Sequence, residues 1–168
     1  MFESGAIVHY LAEKTGQLLP EDPRGRTEAV QWVFWQMGGL GPMAGQNHHF
    51  RYAAPRQLSY AIARYTNETN RLYGVLDKRL ADREYLAGPD YSIADVASYP
   101  WVVLWQRQGQ SMDQFPHVQH WLETIRARPA VARACAPVAE VNPNADAPQS
   151  EEARRILYGE TAEVVSGR

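Results

Sequence analysis

The sequence predicts an all-α fold. Three observations carry that reading. Apolar residues recur at three- and four-residue spacing through most of the chain, strand signals are nearly absent, and the periodic runs are bounded by serine starts and glycine or proline stops. A first helix is expected from Ser4, which stands at the N-cap, to Thr15-Gly16, where glycine supplies the left-handed stop. Ile7, Tyr10 and Leu11 mark its apolar face. "QLLPEDPRGR" then separates elements. A second helix is expected from about Thr27, with Val30, Val33, Phe34 and Met37 as its buried stripe and Trp32 and Trp35 widening it. Gly38-Gly39, Gly41 and Pro42 weaken or kink it, because glycine is entropically costly and proline lacks an N–H.

"GQNHHFRYAAPRQ" reads as a polar loop or a loosened helical stretch. A long helix follows from near Pro55 to about Asp82, with Leu58, Ile62, Tyr65, Thr69, Leu72, Leu76 and Leu80 along one face. After a turn at "YLAGPDYS" comes the most definite local signal. Ser92 and Asp95 form a capping-box pair, with Tyr91 and Val96 placed as a hydrophobic staple. The helix they open is apolar on nearly all sides through Val96, Val103 and Leu104, which makes it the expected centre of the core; Pro100 inside it implies a bend. A further helix runs from Phe115 to Ala127 with Val118, Trp121, Leu122 and Ile125 inward, and a short one follows Pro129. "EVNPNADAPQ" is loop-like, and a terminal helix is expected between Ser150 and Gly159.

At 168 residues the chain is long enough for one domain with a real core. A net charge of −2 gives no electrostatic footprint for nucleic acid or an anionic membrane. No apolar run reaches membrane-spanning length, and the N-terminus lacks a signal-peptide pattern. The single cysteine, Cys135, leaves no internal disulfide or cysteine metal cluster and fits a reducing compartment, so a cytoplasmic location is expected. The adjacent His48 and His49 point in different directions with no carboxylate or cysteine at ligand spacing, and His117 and His120 are an i,i+3 pair that stands alone, so no metal site is expected. The cluster Gln46, Asn47, His48 and His49 is expected to hydrogen-bond between helices or to line a pocket mouth.

The helix opened by Ser92-Ile93-Ala94-Asp95 resembles the buried helix of the C-terminal domain of cytosolic glutathione transferases, and "ESGAIVHYLAEKTG" resembles the last helix of their thioredoxin-like domain. More narrowly, "QWVFWQMGGLGPMAGQNHHFRYAAP" with "YAIARYTNETNRLYGVLDKRL" is similar to the branch holding bacterial glutathione-dependent disulfide-bond oxidoreductases and a prion-forming fungal nitrogen regulator. The resemblance spans about Phe2 to Val138. It implies three parts: residues 1–16 as a remnant of the thioredoxin-like domain, 24–138 as the helical domain, and 139–168 as a tail with a short helix. It also implies that the rest of the thioredoxin-like domain, with the catalytic group facing the glutathione sulfur, is missing, so that this chain is inactive or impaired.

Glutathione is then the expected cosubstrate. By resemblance Glu3 accepts from its ammonium, while the Ser4 hydroxyl and N–H hold its α-carboxylate at the helix start. Arg64, in Ala63-Arg64-Tyr65, is implied to reach the same site from the helical domain; from the residues alone it reads equally well as an exposed helix-face arginine. Asp95 is expected to be structural because of its cap spacing, the tryptophans to be core, and Cys135 to be no nucleophile. The resemblance implies a homodimeric glutathione-dependent disulfide reductase or transferase acting on a small disulfide or electrophile. A non-catalytic helical interaction module is the alternative.

Overall fold

A computed structural model describes residues 1–136 and 151–157. Residues Met1–Arg128 form one compact unit. Within it, α1 (Ser4–Thr15) and α2 (Pro23–Trp35) are followed by a π-helical turn (Gln36–Leu40), α3 (Gly41–His48) and a second π turn (His49–Ala53). Then come α4 (Ser59–Leu80), α5 (Ile93–Val102), a 3-10 turn (Met112–Gln114) and α6 (Pro116–Arg126). The second unit carries α7 (Pro129–Cys135) and α8 (Glu151–Leu157). Ser150 and Gly159, the expected ends of the terminal helix, lie outside the described residues. The fold is all-α, as the periodicity predicts. Among the described residues the only strand-like feature is an isolated bridge between Tyr85 and Gly88.

The α1 helix turns the other way from its expected orientation. Gly5 and Ala12 are buried and Val8 half-buried, whereas Ile7, Tyr10 and Leu11 face solvent. Close approach decides this. A Cβ placed on Gly5 would lie 3.0 Å from Met37 Cγ and 3.3 Å from Val33 Cγ1, so only the small-residue edge of α1 fits against α2. Ala12 joins Ala29, Val33 and Ile93 in a core cluster that ties α1 to α2 and α5. Ser4 also departs from its expected role. It is the first helical residue, Glu3 occupies the N-cap, and no side chain caps the helix. The Ser4 hydroxyl instead donates toward Met37 Sδ at 3.8 Å. Gly16 closes the helix in the left-handed conformation, as predicted (φ 66°).

The second helix starts four residues earlier than its periodicity suggests. Asp22 accepts from the Gly25 N–H at 2.9 Å, and Pro23 pre-sets the first turn. Its buried stripe runs through Ala29, Trp32 and Val33 and continues into Gln36 and Leu40. Phe34 lies off this stripe and is 72% exposed, contrary to expectation. The glycines act where a kink is predicted, but as a π turn that admits an extra residue, after which Pro42 sits in the first turn of α3. The stretch after α3 is the loosened helix rather than the loop.

The α4 helix is shorter than predicted. Leu58 precedes it and is exposed, while Thr69, Leu72, Tyr73, Leu76 and Leu80 are buried. The α5 helix, packed against α1, α2 and α6, lies at the centre, with Ile93, Ala94, Ser98, Tyr99 and Val102 buried. Val103 and Leu104 fall past its end, and Leu104 is 38% exposed rather than buried. Pro100 faces solvent in the last turn. All four inward residues of α6 are buried as predicted. Each such aliphatic side chain contributes about 1.5–3 kcal/mol by leaving water.

Helix starts in this unit are held from a distance. At α5 the Ile93 N–H donates to Leu18 O at 2.9 Å, Ala94 N–H to Ser92 Oγ at 3.3 Å, and Asp95 and Val96 N–H to Ser92 O at 3.1 Å. No first-turn donor is left unpaired, which a buried helix end requires. The α6 helix starts after Phe115, which cannot cap. Asp77 of α4 does so instead, its Oδ1 accepting from His117 N–H at 2.9 Å and Val118 N–H at 3.2 Å.

Candidate functional site

The start of α1 is the first candidate. Glu3 has φ 67° and ψ 110°, a conformation that side-chain-bearing residues rarely adopt and that costs on the order of 1–3 kcal/mol. This torsion swings the chain so that Glu3 and Ser4 are both exposed at the helix end, with Glu3 O accepting from Ile7 N–H at 3.0 Å. First-turn N–H groups without a side-chain cap and the positive end of the helix dipole favour an anion there, and the adjacent carboxylate favours a cation. An amino acid carries both charges.

Arg64 lies on α4, exposed, with Nη1 3.7 Å from Glu68 Oε2. Glu68 is shared: Arg71 holds it at 2.7 and 3.0 Å, and that hydrogen bond is the main reason its carboxyl is held below the usual range. Among the described residues Arg64 makes no ion pair with Glu3. Residues Ser92 and Asp95 form the reciprocal cap. Asp95 accepts from Leu86 N–H (3.0 Å), Ser92 N–H (3.0 Å), the Ser92 hydroxyl (3.1 Å) and Trp121 Nε1 (2.9 Å). Burial raises its carboxyl, while these hydrogen bonds work in the opposite direction. A carboxylate wrapped by four donors from three segments is a structural keystone rather than an acid or base.

The polar cluster divides by residue. Asn47 is fully buried and donates to Gln108 O at 2.9 Å and Thr69 Oγ1 at 3.1 Å, tying α3 to α4 and to the loop after α5. That is the interhelical role the sequence suggested. Tyr73 continues the network, donating to Gln108 Oε1 at 2.8 Å. The rings of His48 and His49 go to different partners, Tyr52 and Phe50 respectively, each at 5.1 Å. Among the described residues no group of three or more metal-ligating side chains converges. The aromatics pack: Trp32 meets Trp35 edge-on at 5.1 Å under the Arg79 guanidinium, Tyr99 meets Trp121, and Trp101 lies over Gly41 and Gly45. Cys135 is exposed and free. Arg51, which sequence reasoning passed over, lines a pocket with Tyr52, Gln57 and Ile62. A signal was present: between Glu28 and Glu68 the sequence has no Asp or Glu.

A central helix opened by a reciprocal Ser–Asp cap, enclosed by helices and joined to a strained Glu-Ser helix start, defines a helical domain of the glutathione transferase type. The chain belongs to that family: the glutathione S-transferase C-terminal domain matches residues 43–129. It is 56% identical over 134 residues to disulfide-bond oxidoreductase YfcG of Escherichia coli (strain K12), covering 80% of this chain and 62% of that protein. A crystal structure of a glutathione transferase from Burkholderia graminis with two glutathione molecules bound per subunit is 47% identical. It covers 79% of this chain and 58% of that one, with a TM-score of 0.74. Ure2p in complex with glutathione is 34% identical over 80% of this chain and 65% of that one, also at 0.74. The chain thus spans from about half to two thirds of the length of several of its relatives, 49% in the case of the E. coli disulfide-bond oxidoreductase YghU and 62% in that of YfcG.

Proposed function

We propose that this chain is the helical part of a glutathione-dependent disulfide-bond reductase or transferase, in which Glu3 and Ser4 hold the γ-glutamyl end of glutathione. The observation that carries the reading is the strained, exposed Glu3 backbone at the uncapped start of α1. The names and bound ligands of the relatives favour the same chemistry. In this reading Glu3 accepts from the ammonium, and the Ser4 N–H and hydroxyl donate to the α-carboxylate. Arg64 exchanges its weak contact with Glu68 for the second carboxylate or a departing thiolate, which a guanidinium stabilises electrostatically. Thiolate–disulfide exchange runs through a mixed disulfide whose sulfurs belong to glutathione and substrate, so no cysteine pair in the protein is needed.

The division into residues 1–16, 24–138 and 139–168, the homodimer and a cytoplasmic location belong to this proposal. So does weak or absent turnover by these 168 residues alone, the activity belonging to a protein of the relatives' extent. One feature favours the alternative of a helical interaction module. Phe2, Tyr10, Leu11 and Phe34 form exposed apolar surface, with Phe2 84% exposed. The test is reduction of 2-hydroxyethyl disulfide by glutathione, comparing these residues with a form extended to the relatives' length. Activity confined to the extended form and lost on Glu3→Gln supports the enzyme reading. Absence of activity in both forms supports the interaction module.

A further inference from the structure

The second π turn, the connection that follows it and the first turn of α4 together build a pocket of about 210 Å³ lined by Arg51, Tyr52, Gln57 and Ile62. Among the described residues, the charged side chains over Tyr52 are basic. Tyr52 lies among basic groups: the Arg51 guanidinium carbon is 5.9 Å from its ring centroid, that of Arg107 is 5.5 Å away, and the His48 ring is at 5.1 Å. Burial, and then the Arg107 charge, hold the His48 imidazole below its usual value. No Asp or Glu occurs between Glu28 and Glu68, or between Asp95 and Asp113 in the loop that carries Arg107. The carboxylate next along α4, Glu68, is already held by Arg71 and Arg64.

Arg51 is the distinctive group. It is half-buried, and its Nε donates to Arg107 O at 3.1 Å. The guanidinium lies flat on Gly109, so close that a Cβ there would fall 2.7 Å from Nη1. Gly109 itself has φ 68°. The guanidinium is therefore seated by the backbone of the loop after α5 rather than by a counter-charge. Among the described residues Arg51 makes no ion pair, and its η nitrogens make no hydrogen bond. A half-buried guanidinium without a counter-charge is costly unless an anion compensates it.

We propose that this pocket binds a small organic carboxylate, with the Arg51 guanidinium as its charge partner. A guanidinium fixed at Nε presents its η nitrogens as a fork that matches a carboxylate. The Tyr52 hydroxyl and Gln57 amide supply further polar groups, and Ile62 and the Tyr52 ring supply an apolar wall for the body of the ligand. The site shares no residue with Glu3, Ser4 or Arg64 and stands or falls apart from the glutathione reading.

The test is a titration of the isotopically labelled chain with phenylacetate, followed by amide chemical shifts, with neutral phenylacetamide as control. Saturable shifts at Arg51, Tyr52, Gln57 and Ile62 are expected for the acid. Binding should weaken about tenfold or more for the amide and for Arg51→Gln, the loss expected for a charge-assisted hydrogen bond. Glu3→Gln leaves it unchanged. Equal binding of acid and amide, no shift at the four residues, or wild-type affinity in a folded Arg51→Gln variant overturns the proposal. The comparison of acid with amide on the unaltered chain decides the matter even where Arg51→Gln does not fold.

Discussion

Replacing Asp95 by alanine removes the acceptor for three buried N–H groups and one hydroxyl drawn from the turn before α5, the start of α5 and α6. Leu86 and Trp121 lie in the core, at 0% and 1% exposure, so water cannot take over their donors. An unsatisfied buried donor costs about 1–3 kcal/mol, and three of them set an upper bound near 9 kcal/mol. Against this stands the relief of a buried carboxylate, whose raised pKa shows that burial outweighs its hydrogen bonds. The balance lies at about 3–5 kcal/mol of destabilisation, the usual range for breaking a buried charged network. Asp95→Asn keeps one acceptor oxygen but turns an amide donor toward other donors, so about 2 kcal/mol is expected. Ser92→Ala loses the cap alone, about 1 kcal/mol. Urea unfolding followed by tryptophan fluorescence measures all three. An Asp95→Ala chain within about 1 kcal/mol of wild type, or one more stable than Ser92→Ala, would refute the keystone reasoning.

Asp77→Ala leaves the first turn of α6 without its cap and costs about 1 kcal/mol in the same assay, while Asp77→Asn retains most of the stability; equal stability of all three forms counts against the remote cap. For His48, the folded imidazole titrates below the ordinary value of 6.5, so on acidification the unfolded chain takes up its proton first. Its contribution is fully present above about pH 6.5 and declines as pH falls below that value toward the folded pKa. Melting curves of His48→Gln should therefore lose less stability on acidification through this window than wild type. Identical slopes would show that His48 is not the group concerned.

The two helices most legible in the sequence, α5 and α6, are those whose determinants are local: a capping box four residues long and a strict four-residue apolar stripe. The orientation of α1 was not legible, because its larger apolar residues point away from the core. The face that docks is chosen by Gly5 and the room beside Met37 and Val33, which belong to another helix. Phe34 misleads for the same reason, since the buried stripe of α2 through Ala29, Trp32 and Val33 is set by its packing against α5. The Asp77 cap spans 40 residues of sequence, and the Arg51 seat depends on a loop more than 50 residues away. No pattern within a helix reports either. Glu3 and Ser4 stand out in sequence only through the family's motif. Their strained backbone becomes visible with the fold.

The central claim is that the start of α1 holds the amino-acid head of glutathione, and calorimetric titration tests it most directly. Glutathione should bind the chain, with affinity falling roughly tenfold or more in Glu3→Gln and in Ser4→Ala, the loss expected for one charge-assisted hydrogen bond. Glutathione binding with the same affinity in wild type and in both variants would contradict it.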